Sequence, residues 1–225
     1  MTTTVGAITI GQTPRKDITG ELRLFLPPDV RIMEAGALDG LTREQVLDAE
    51  RNVAGPLLVT LLEDGTEVKI GEHFLMPRIR ECILRIEKQS ELILMLCTGT
   101  FPQMDSRRLV LYPGAILAGI VGSIGPRRAG ILTPAREQAG YQLERWRAIV
   151  PDVHVEPADP YGSPAQLDAA ALNLSRYDPD VLVMDCIGYT IGMKQRVSAV
   201  VNRPVLLARS LLGRAAAELL DCRKL

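Results

Sequence analysis

Two segments of the sequence decide the predicted fold: residues 92–100, LILMLCTGT, and residues 181–189, VLVMDCIGY. Each begins with an apolar run of the kind that is buried on both faces of a parallel sheet. Each run ends beside a cysteine, Cys97 or Cys186, and a glycine follows two positions later. Open α/β sheets bind ligands at the carboxyl ends of their strands. The two segments therefore predict an internal repeat with one candidate site cysteine in each copy.

A second pair of segments supports the repeat. Residues 5–15, VGAITIGQTPR, and residues 128–136, RAGILTPAR, each form an apolar run that leads into Thr-Pro and an arginine. Predicted strands and helices alternate along the rest of the chain, which indicates an α/β fold with parallel sheets. We predict two similar doubly wound lobes related by a pseudo-twofold repeat, residues 1–125 and 126–225. An exchange of the last helix between the lobes stays open.

Local patterns add detail to this plan. Residues 56–70 predict a β-hairpin that turns at Asp64-Gly65, and Thr42 with Gln45 predicts a capping box at the start of a short helix. Apolar residues recur at helical spacing over residues 74–87, and this stripe includes Cys82. We also expect a helix N-terminus after each of the two site cysteines.

Composition excludes several classes of function. The 225 residues carry 26 Lys and Arg against 27 Asp and Glu, so the formal net charge is -1. Nucleic acids and anionic membranes favour a basic surface, so we expect neither as a partner. The longest apolar stretch, residues 109–124, is broken by a proline and three glycines, and we expect no membrane span. The four cysteines form no C-x-x-C pair and no metal motif, so we expect free thiols in a cytoplasmic protein.

The motifs resemble those of the AroM family, within the aspartate/glutamate racemase superfamily. The resemblance covers nearly the whole chain and rests on TIGQTPR at residues 9–15 and DCIG at residues 185–188. It implies two lobes that face each other across an active-site cleft, with the two cysteines on opposite walls. It also implies enzymes that need no cofactor, among them racemases, a maleate isomerase type and an arylmalonate decarboxylase type. The resemblance is the sole reason to expect a homodimer.

Cys97 and Cys186 are the predicted catalytic residues. A thiolate can remove a proton from a carbon next to a carboxylate, and a thiol on the opposite face can return one. Alternatively, one cysteine adds to an activated double bond or carbonyl while the other handles the proton. The simpler interpretation is that both are small buried apolar residues, as free cysteines often are. Cys82 and Cys222 are assigned to packing.

The expected ligand is a small carboxylate or dicarboxylate. Backbone N–H groups after each cysteine could bind it, and residues 11–15 combine backbone amides with an arginine that could hold a carboxylate in a bidentate manner. The alternative for this loop is an ordinary helix start with a surface arginine. The role of Asp185 is open. The predicted substrate-binding residues are Gly11, Gln12, Thr13, Pro14, Arg15, Thr98, Gly99, Thr100, Thr133, Ile187, Gly188 and Tyr189.

The leading prediction is a cofactor-independent racemase or isomerase that uses the two cysteines. Racemases of this superfamily usually place an acidic or serine residue where this chain has Gly11-Gln12, and Asn-Thr after the first cysteine, where it has Thr98-Gly99. These differences keep two alternatives open. One is a binding or sensor protein without catalysis. The other is a decarboxylase-like enzyme in which only Cys186 reprotonates an intermediate.

Overall fold

The computed structural model describes residues 3–52 and 55–221, which divide into two compact units. Unit 1 comprises the described residues of Met1–Tyr112 and Leu212–Leu225, and unit 2 comprises Pro113–Leu211. Cys222 lies outside the described residues, so its predicted packing role stays a prediction. None of the helices in the described ranges has both the length and the hydropathy that a membrane crossing requires.

Unit 1 is built on a parallel sheet with the strand order β2-β1-β5-β6. Its elements are β1 (Thr4–Thr9), α1 (Lys16–Leu22), β2 (Arg31–Gly36), α2 (Arg43–Arg51), β3 (Leu57–Leu61), β4 (Glu67–Gly71), α3 (Glu72–Ile86), β5 (Leu92–Leu96) and β6 (Val110–Leu111). Strands β3 and β4 form the predicted antiparallel hairpin.

Unit 2 repeats this plan with the strand order β10-β9-β7-β8, again all parallel. Its elements are α4 (Pro113–Ile124), β7 (Arg128–Thr133), α5 (Ala139–Arg147), β8 (Asp152–Pro157), α6 (Pro164–Tyr177), β9 (Val181–Met184), α7 (Ile191–Val201), β10 (Val205–Leu207) and the start of α8 (Ala208–Asp221).

The two sheets have the same topology, which confirms the predicted pair of similar α/β lobes. In each, the first strand along the chain is central, the second lies on one side and the third and fourth lie on the other. Thr9 pairs with Leu96, the residue before Cys97, and Leu132 pairs with Met184, which places Thr133 level with Asp185. The two cysteines therefore occupy equivalent positions. The equivalent of Thr133 is Thr9, so the two Thr-Pro sequences do not superpose.

The helix after the fourth strand of each sheet groups with the other unit. Helix α4 follows β6 but belongs to unit 2, and α8 follows β10 but belongs to unit 1 from Leu212 onward. Within unit 1, the guanidinium of Arg214 lies 5.2 Å from the ring centroid of Phe25, and Gly213 packs against the same ring. The contacts thus divide the chain at Tyr112 and Leu212, whereas the sequence suggested a division at residue 125.

The core of unit 1 follows the predicted patterns. Every residue of β5 is buried, and the apolar stripe of α3 packs against the sheet together with side chains of the hairpin. Thr42 caps α2: its hydroxyl accepts from the Gln45 amide at 3.3 Å, while its own amide donates to Gln45 Oε1 at 2.9 Å. The predicted capping box is confirmed.

The expectation of a helix directly after each cysteine is wrong for Cys97. The next regular element in the described chain is β6, and the intervening segment contains Pro102. Side chains, rather than helical carbonyls, satisfy its backbone, since the amide of Met104 donates to Tyr112 Oη at 3.1 Å and the amide of Arg107 donates to Glu87 Oε2 at 2.8 Å. After Cys186 a helix does follow, but only at Ile191.

Neighbouring residues of α3 give a test of this packing. Ile83 is fully buried in the core of unit 1, whereas Leu84 is 61% exposed. We expect Ile83→Ala to lower the free energy of unfolding by about 2–5 kcal/mol, because it removes buried methyl groups and leaves a cavity. Leu84→Ala, the control in the same helix, should change it by no more than about 0.5 kcal/mol. Urea denaturation followed by circular dichroism measures both, and equal effects would contradict the assigned faces of α3.

Candidate functional site

Cys97 directly follows β5 and begins a tight turn. Its side chain is 8% exposed, and the amide of Gly99 donates to Cys97 Sγ with an N···S distance of 3.4 Å. A Cβ at Gly99 would lie 3.1 Å from Leu58 Cδ2 and 3.1 Å from Phe101 Cζ, closer than an ordinary contact. Close packing around this turn therefore favours glycine as the second residue after the cysteine.

Cys186 occupies the equivalent position in unit 2 and begins a turn in which the amide of Tyr189 donates to the Cys186 carbonyl at 3.4 Å. It is also 8% exposed, and the amide of Gly188 donates to Cys186 Sγ, again at 3.4 Å. A Cβ at Gly188 would approach Pro160 Cγ and Tyr161 Oη to 2.9 Å. In both units a peptide N–H therefore points at the sulfur, and such a donor stabilises negative charge on it.

Cys82 provides a contrast. It is buried in the apolar stripe of α3, and burial raises the pKa of its thiol, an effect that the positive charge of Arg85 only partly offsets. The Nη2 atom of Arg85 lies 3.7 Å from Cys82 Sγ. Cys82 therefore has the properties of a packing residue, as the sequence predicted.

Asp185, whose role was open, is fully buried beside Cys186 and is paired with an arginine. Its Oδ2 atom accepts from Arg145 Nη1 at 2.8 Å and from Trp146 Nε1 at 2.9 Å. Arg145 also donates to the carbonyl of Gly114 at 3.2 Å. The carboxylate thus ties the end of β9 to α5. An acidic residue at the end of an apolar strand was the signal for a buried partner, although its identity was not predictable.

Arg209 is a second residue that sequence reasoning missed. It lies in the first turn of α8, and its guanidinium donates to two consecutive carbonyls of the Cys186 turn, those of Ile187 and Gly188. An arginine at a helix N-terminus opposes the helix dipole. That unfavourable position was the available signal that Arg209 has a specific partner.

The side chains that follow Cys186 point into unit 2. Tyr189 is fully buried, and its hydroxyl donates to the carbonyl of Ala158 at 2.5 Å. Burial raises the pKa of Tyr189 well above its usual value, and negative charge on the neighbouring Cys186 or Asp185 acts in the same direction. Ile187 is also buried. Because the side chains of Ile187 and Tyr189 are buried, the predicted contact with a ligand would involve the backbone groups of these two residues.

The loop after β1 packs against the hairpin. A side chain at Gly11 would collide with the Leu61 carbonyl and the Thr60 hydroxyl. Gln12 is used to connect loops: its Nε2 atom lies 3.3 Å from the carbonyls of Leu38 and Leu41, and its Oε1 atom accepts from the amide of Glu63 at 3.0 Å. Both residues stabilise the fold of unit 1.

Polar groups of the following residues are bound within the same loop region. Asp39 accepts from the amide of Thr13 at 2.8 Å and from its hydroxyl at 3.1 Å. Arg15 is buried, and its Nε and Nη2 atoms donate to the two carboxylate oxygens of Asp17 at 2.9 and 2.7 Å. The bidentate grip that the sequence predicted for a ligand carboxylate is thus formed with Asp17. Pro14 is exposed.

The remaining predicted residues differ in exposure. Thr133 is fully buried at the end of β7, and its hydroxyl donates to Gln138 Oε1 at 3.3 Å. Thr98 is buried and Thr100 is exposed. In unit 1, the strand register brings the predicted site residues together at the carboxyl ends of the adjacent strands β1 and β5. In unit 2, it brings them together at the carboxyl ends of β7 and β9. Over residues 3–52 and 55–221, no group of three His, Cys, Asp or Glu side chains could hold a metal ion.

The fold is similar to those of solved racemases and isomerases. Allantoin racemase from Klebsiella pneumoniae matches with a TM-score of 0.64 and 13% identity, over 98% of this chain and 89% of that chain. A Nocardia farcinica maleate cis-trans isomerase matches with a TM-score of 0.63 and 16% identity, over 97% and 92%. The Picrophilus torridus aspartate racemase matches with a TM-score of 0.60 and 14% identity, over 96% and 94%. At these identities the likeness concerns the fold alone.

No curated protein matches the sequence. The family model described as AroM protein matches residues 5–220, nearly the full length. This match agrees with the TIGQTPR and DCIG motifs and with the racemase-like fold. The chain belongs to the AroM family.

Proposed function

We propose that this protein is a cofactor-independent enzyme of the racemase or isomerase type that acts on a small carboxylate through Cys97 and Cys186. The observation that carries the proposal is the contact shared by the two Cys-x-Gly segments, in each of which the glycine nitrogen lies 3.4 Å from the cysteine sulfur. The substrate class is supported by the maleate isomerase and aspartate racemase that share the fold. The proposal requires both sulfurs to reach opposite faces of one bound substrate.

In the racemase form of the reaction, the thiolate of one cysteine removes the proton from the carbon next to the carboxylate. The electron pair left on that carbon delocalises into the carboxylate. The thiol of the other cysteine then gives its proton to the opposite face and becomes the thiolate. One proton has been removed and one returned, and the two cysteines have exchanged protonation states. The enzyme is thus ready for the reverse reaction, and solvent exchange restores its first state.

In the isomerase form, the thiolate of one cysteine adds to a carbon–carbon double bond conjugated with the carboxylate. The former double bond becomes a single bond and can rotate. Expulsion of the same thiolate re-forms the double bond in the other geometry, without net gain or loss of protons. The second thiol would donate a proton to the carbanion and take it back. Both forms require the same pair of residues.

A ligand-binding protein without catalysis is the second candidate, and the loop after β1 favours it. The side chains of Gln12 and Arg15, expected to contact the ligand, bind groups of unit 1 instead. Such a loop stabilises a fold without supplying a reactive group. Ligand binding without turnover would support this candidate.

Thiol reactivity tests the turns directly. In a Cys222→Ser background, we expect iodoacetamide at pH 7.5 to label Cys97 and Cys186 about tenfold faster than Cys82. The N–H donors stabilise the thiolates of the first two, whereas burial raises the pKa of Cys82 and keeps it protonated at this pH. Time-resolved peptide mass spectrometry measures the three rates.

Cys82 is the internal control of this experiment, since all three cysteines are buried. A higher pH should accelerate the labelling of Cys82, because its raised pKa leaves most of it as the thiol at pH 7.5. If Cys97 and Cys186 react no faster than Cys82, the turns do not activate the thiols and the proposal loses its chemical basis.

Proton exchange tests the reaction. Small carboxylates with an acidic α-hydrogen, incubated with the protein in D2O, should incorporate deuterium, as followed by NMR. We expect Cys97→Ser and Cys186→Ser each to slow the incorporation by at least about 100-fold, because each removes one of the two proton-transferring groups. Cys82→Ala is the control and should leave the rate unchanged. Unsaturated dicarboxylates are followed in parallel for cis-trans conversion.

The variants separate the alternatives. Activity that survives Cys97→Ser but not Cys186→Ser would indicate the one-cysteine, decarboxylase-like enzyme. A carboxylate that raises the unfolding temperature without exchange, isomerisation or decarboxylation would indicate a binding protein.

A further inference from the structure

We propose that Arg209 is a positioning residue for Cys186: it holds the peptide group whose N–H points at the sulfur. This inference rests on the proposed role of Cys186 as a reactive thiol. Arg209 is 1% exposed, in the first turn of α8. Its Nε atom donates to the Ile187 carbonyl and its Nη2 atom to the Gly188 carbonyl, both at 3.0 Å.

The argument follows from the planarity of the peptide group. The carbonyl of Ile187 and the N–H of Gly188 belong to one peptide unit, and in a trans peptide these two bonds point in opposite directions. Arg209 holds the oxygen of this unit, and Cys186 Sγ accepts from its nitrogen at 3.4 Å. A rotation of the unit that moved the N–H away from the sulfur would also break the bond to the guanidinium. Arg209 therefore fixes the donor from the far side.

The second bond makes the grip specific to arginine. Nε and Nη2 lie in one rigid plane, so their bonds to consecutive carbonyls fix two successive peptide units. A lysine ammonium carries the same charge but lacks this planar fork. Replacement by lysine therefore separates the geometric effect of Arg209 from its charge.

Other titratable groups of unit 2 lie near this turn. Asp159 is one of them, and its carboxylate accepts from the Tyr161 amide at 2.8 Å. The Asp185 carboxylate is bound by Arg145, and Tyr189 stays neutral because its raised pKa prevents ionisation at physiological pH. The positive charge of Arg209 therefore favours negative charge at Cys186 in addition to its geometric effect.

The first half of the sequence contains a natural comparison. In the first sheet, Leu94 of β5 pairs with Leu111 of β6. In the second sheet, Val183 of β9 pairs with Leu206 of β10. Leu94 and Val183 each lie three residues before their cysteine, so Leu111 is equivalent to Leu206, and the position equivalent to Arg209 is Gly114. The N–H contact is present at both cysteines, whereas glycine follows β6 at the position where arginine follows β10. We therefore expect the reactivity of Cys97 not to depend on Arg209.

The test measures alkylation of both cysteines in one molecule. In the Cys222→Ser background, Arg209→Lys and Arg209→Gln are compared with the parent by peptide mass spectrometry between pH 6 and 10. We expect the rate at Cys186 to fall by about fivefold at pH 7.5, close to the loss of one hydrogen bond, and its pH profile to move to higher pH. The rate and profile of Cys97 should stay unchanged. Circular dichroism establishes that each variant is folded.

Arg203→Lys is the matched control. Arg203 also donates through Nε and Nη2, but to the carboxylate of Asp178 at the surface of unit 2. Arg203→Lys should leave the alkylation rates of Cys97 and Cys186 unchanged. An unchanged Cys186 profile in folded Arg209 variants, or parallel changes at Cys97, would overturn the proposal. Failure of both Arg209 variants to fold would also overturn the proposal, because Arg209 would then be required for the stability of the fold. A lack of turnover would contradict the proposed function only, since alkylation needs no substrate.

Discussion

The contact between a cysteine sulfur and the peptide N–H of the glycine two residues later is the constraint on which both candidate sites depend. The turn brings its own backbone to the sulfur and packs that backbone closely against neighbouring side chains, at Leu58 and Phe101 in unit 1 and at Pro160 in unit 2. A Cβ at either glycine would press on these neighbours, so close packing favours glycine at the position that donates to the sulfur. The parallel sheets supply the frame, since each turn begins where a buried strand ends.

Each cysteine accepts from the N–H of the glycine two residues later, but the surroundings of the two cysteines differ. In unit 2, Asp185 is tied to Arg145 on one side of Cys186, and Arg209 holds the carbonyls on the other. In unit 1, apolar Leu96 stands at the position of Asp185, and the chain continues into a segment without a helix. The second half of the chain therefore has the charged residues Asp185 and Arg209 at positions where the first half has Leu96 and Gly114.

Much of this was predictable from the sequence because it depends on local patterns. Apolar runs, Cys-x-Gly spacing and turn residues predict the strands, the repeat, the hairpin and the capping box of Thr42. The partners of the buried charges were not predictable. Arg145 and Arg209 reach Asp185 and the Cys186 turn from helices distant in sequence, and no spacing rule connects them. In the loop after β1, the sequence did not indicate that Asp17, two residues after Arg15, is an internal partner for the guanidinium.

The grouping of the last helix with unit 1 has a consequence for biosynthesis. Protein synthesis proceeds from the amino to the carboxyl end, so the sheet of unit 1 leaves the ribosome first. Gly213 and Arg214 of α8 pack on Phe25 of unit 1. These two residues emerge only after the described strands of unit 2 have been made. The half of the protein that is translated first is thus the half that is completed last, and until then part of its apolar surface must stay uncovered on the nascent chain.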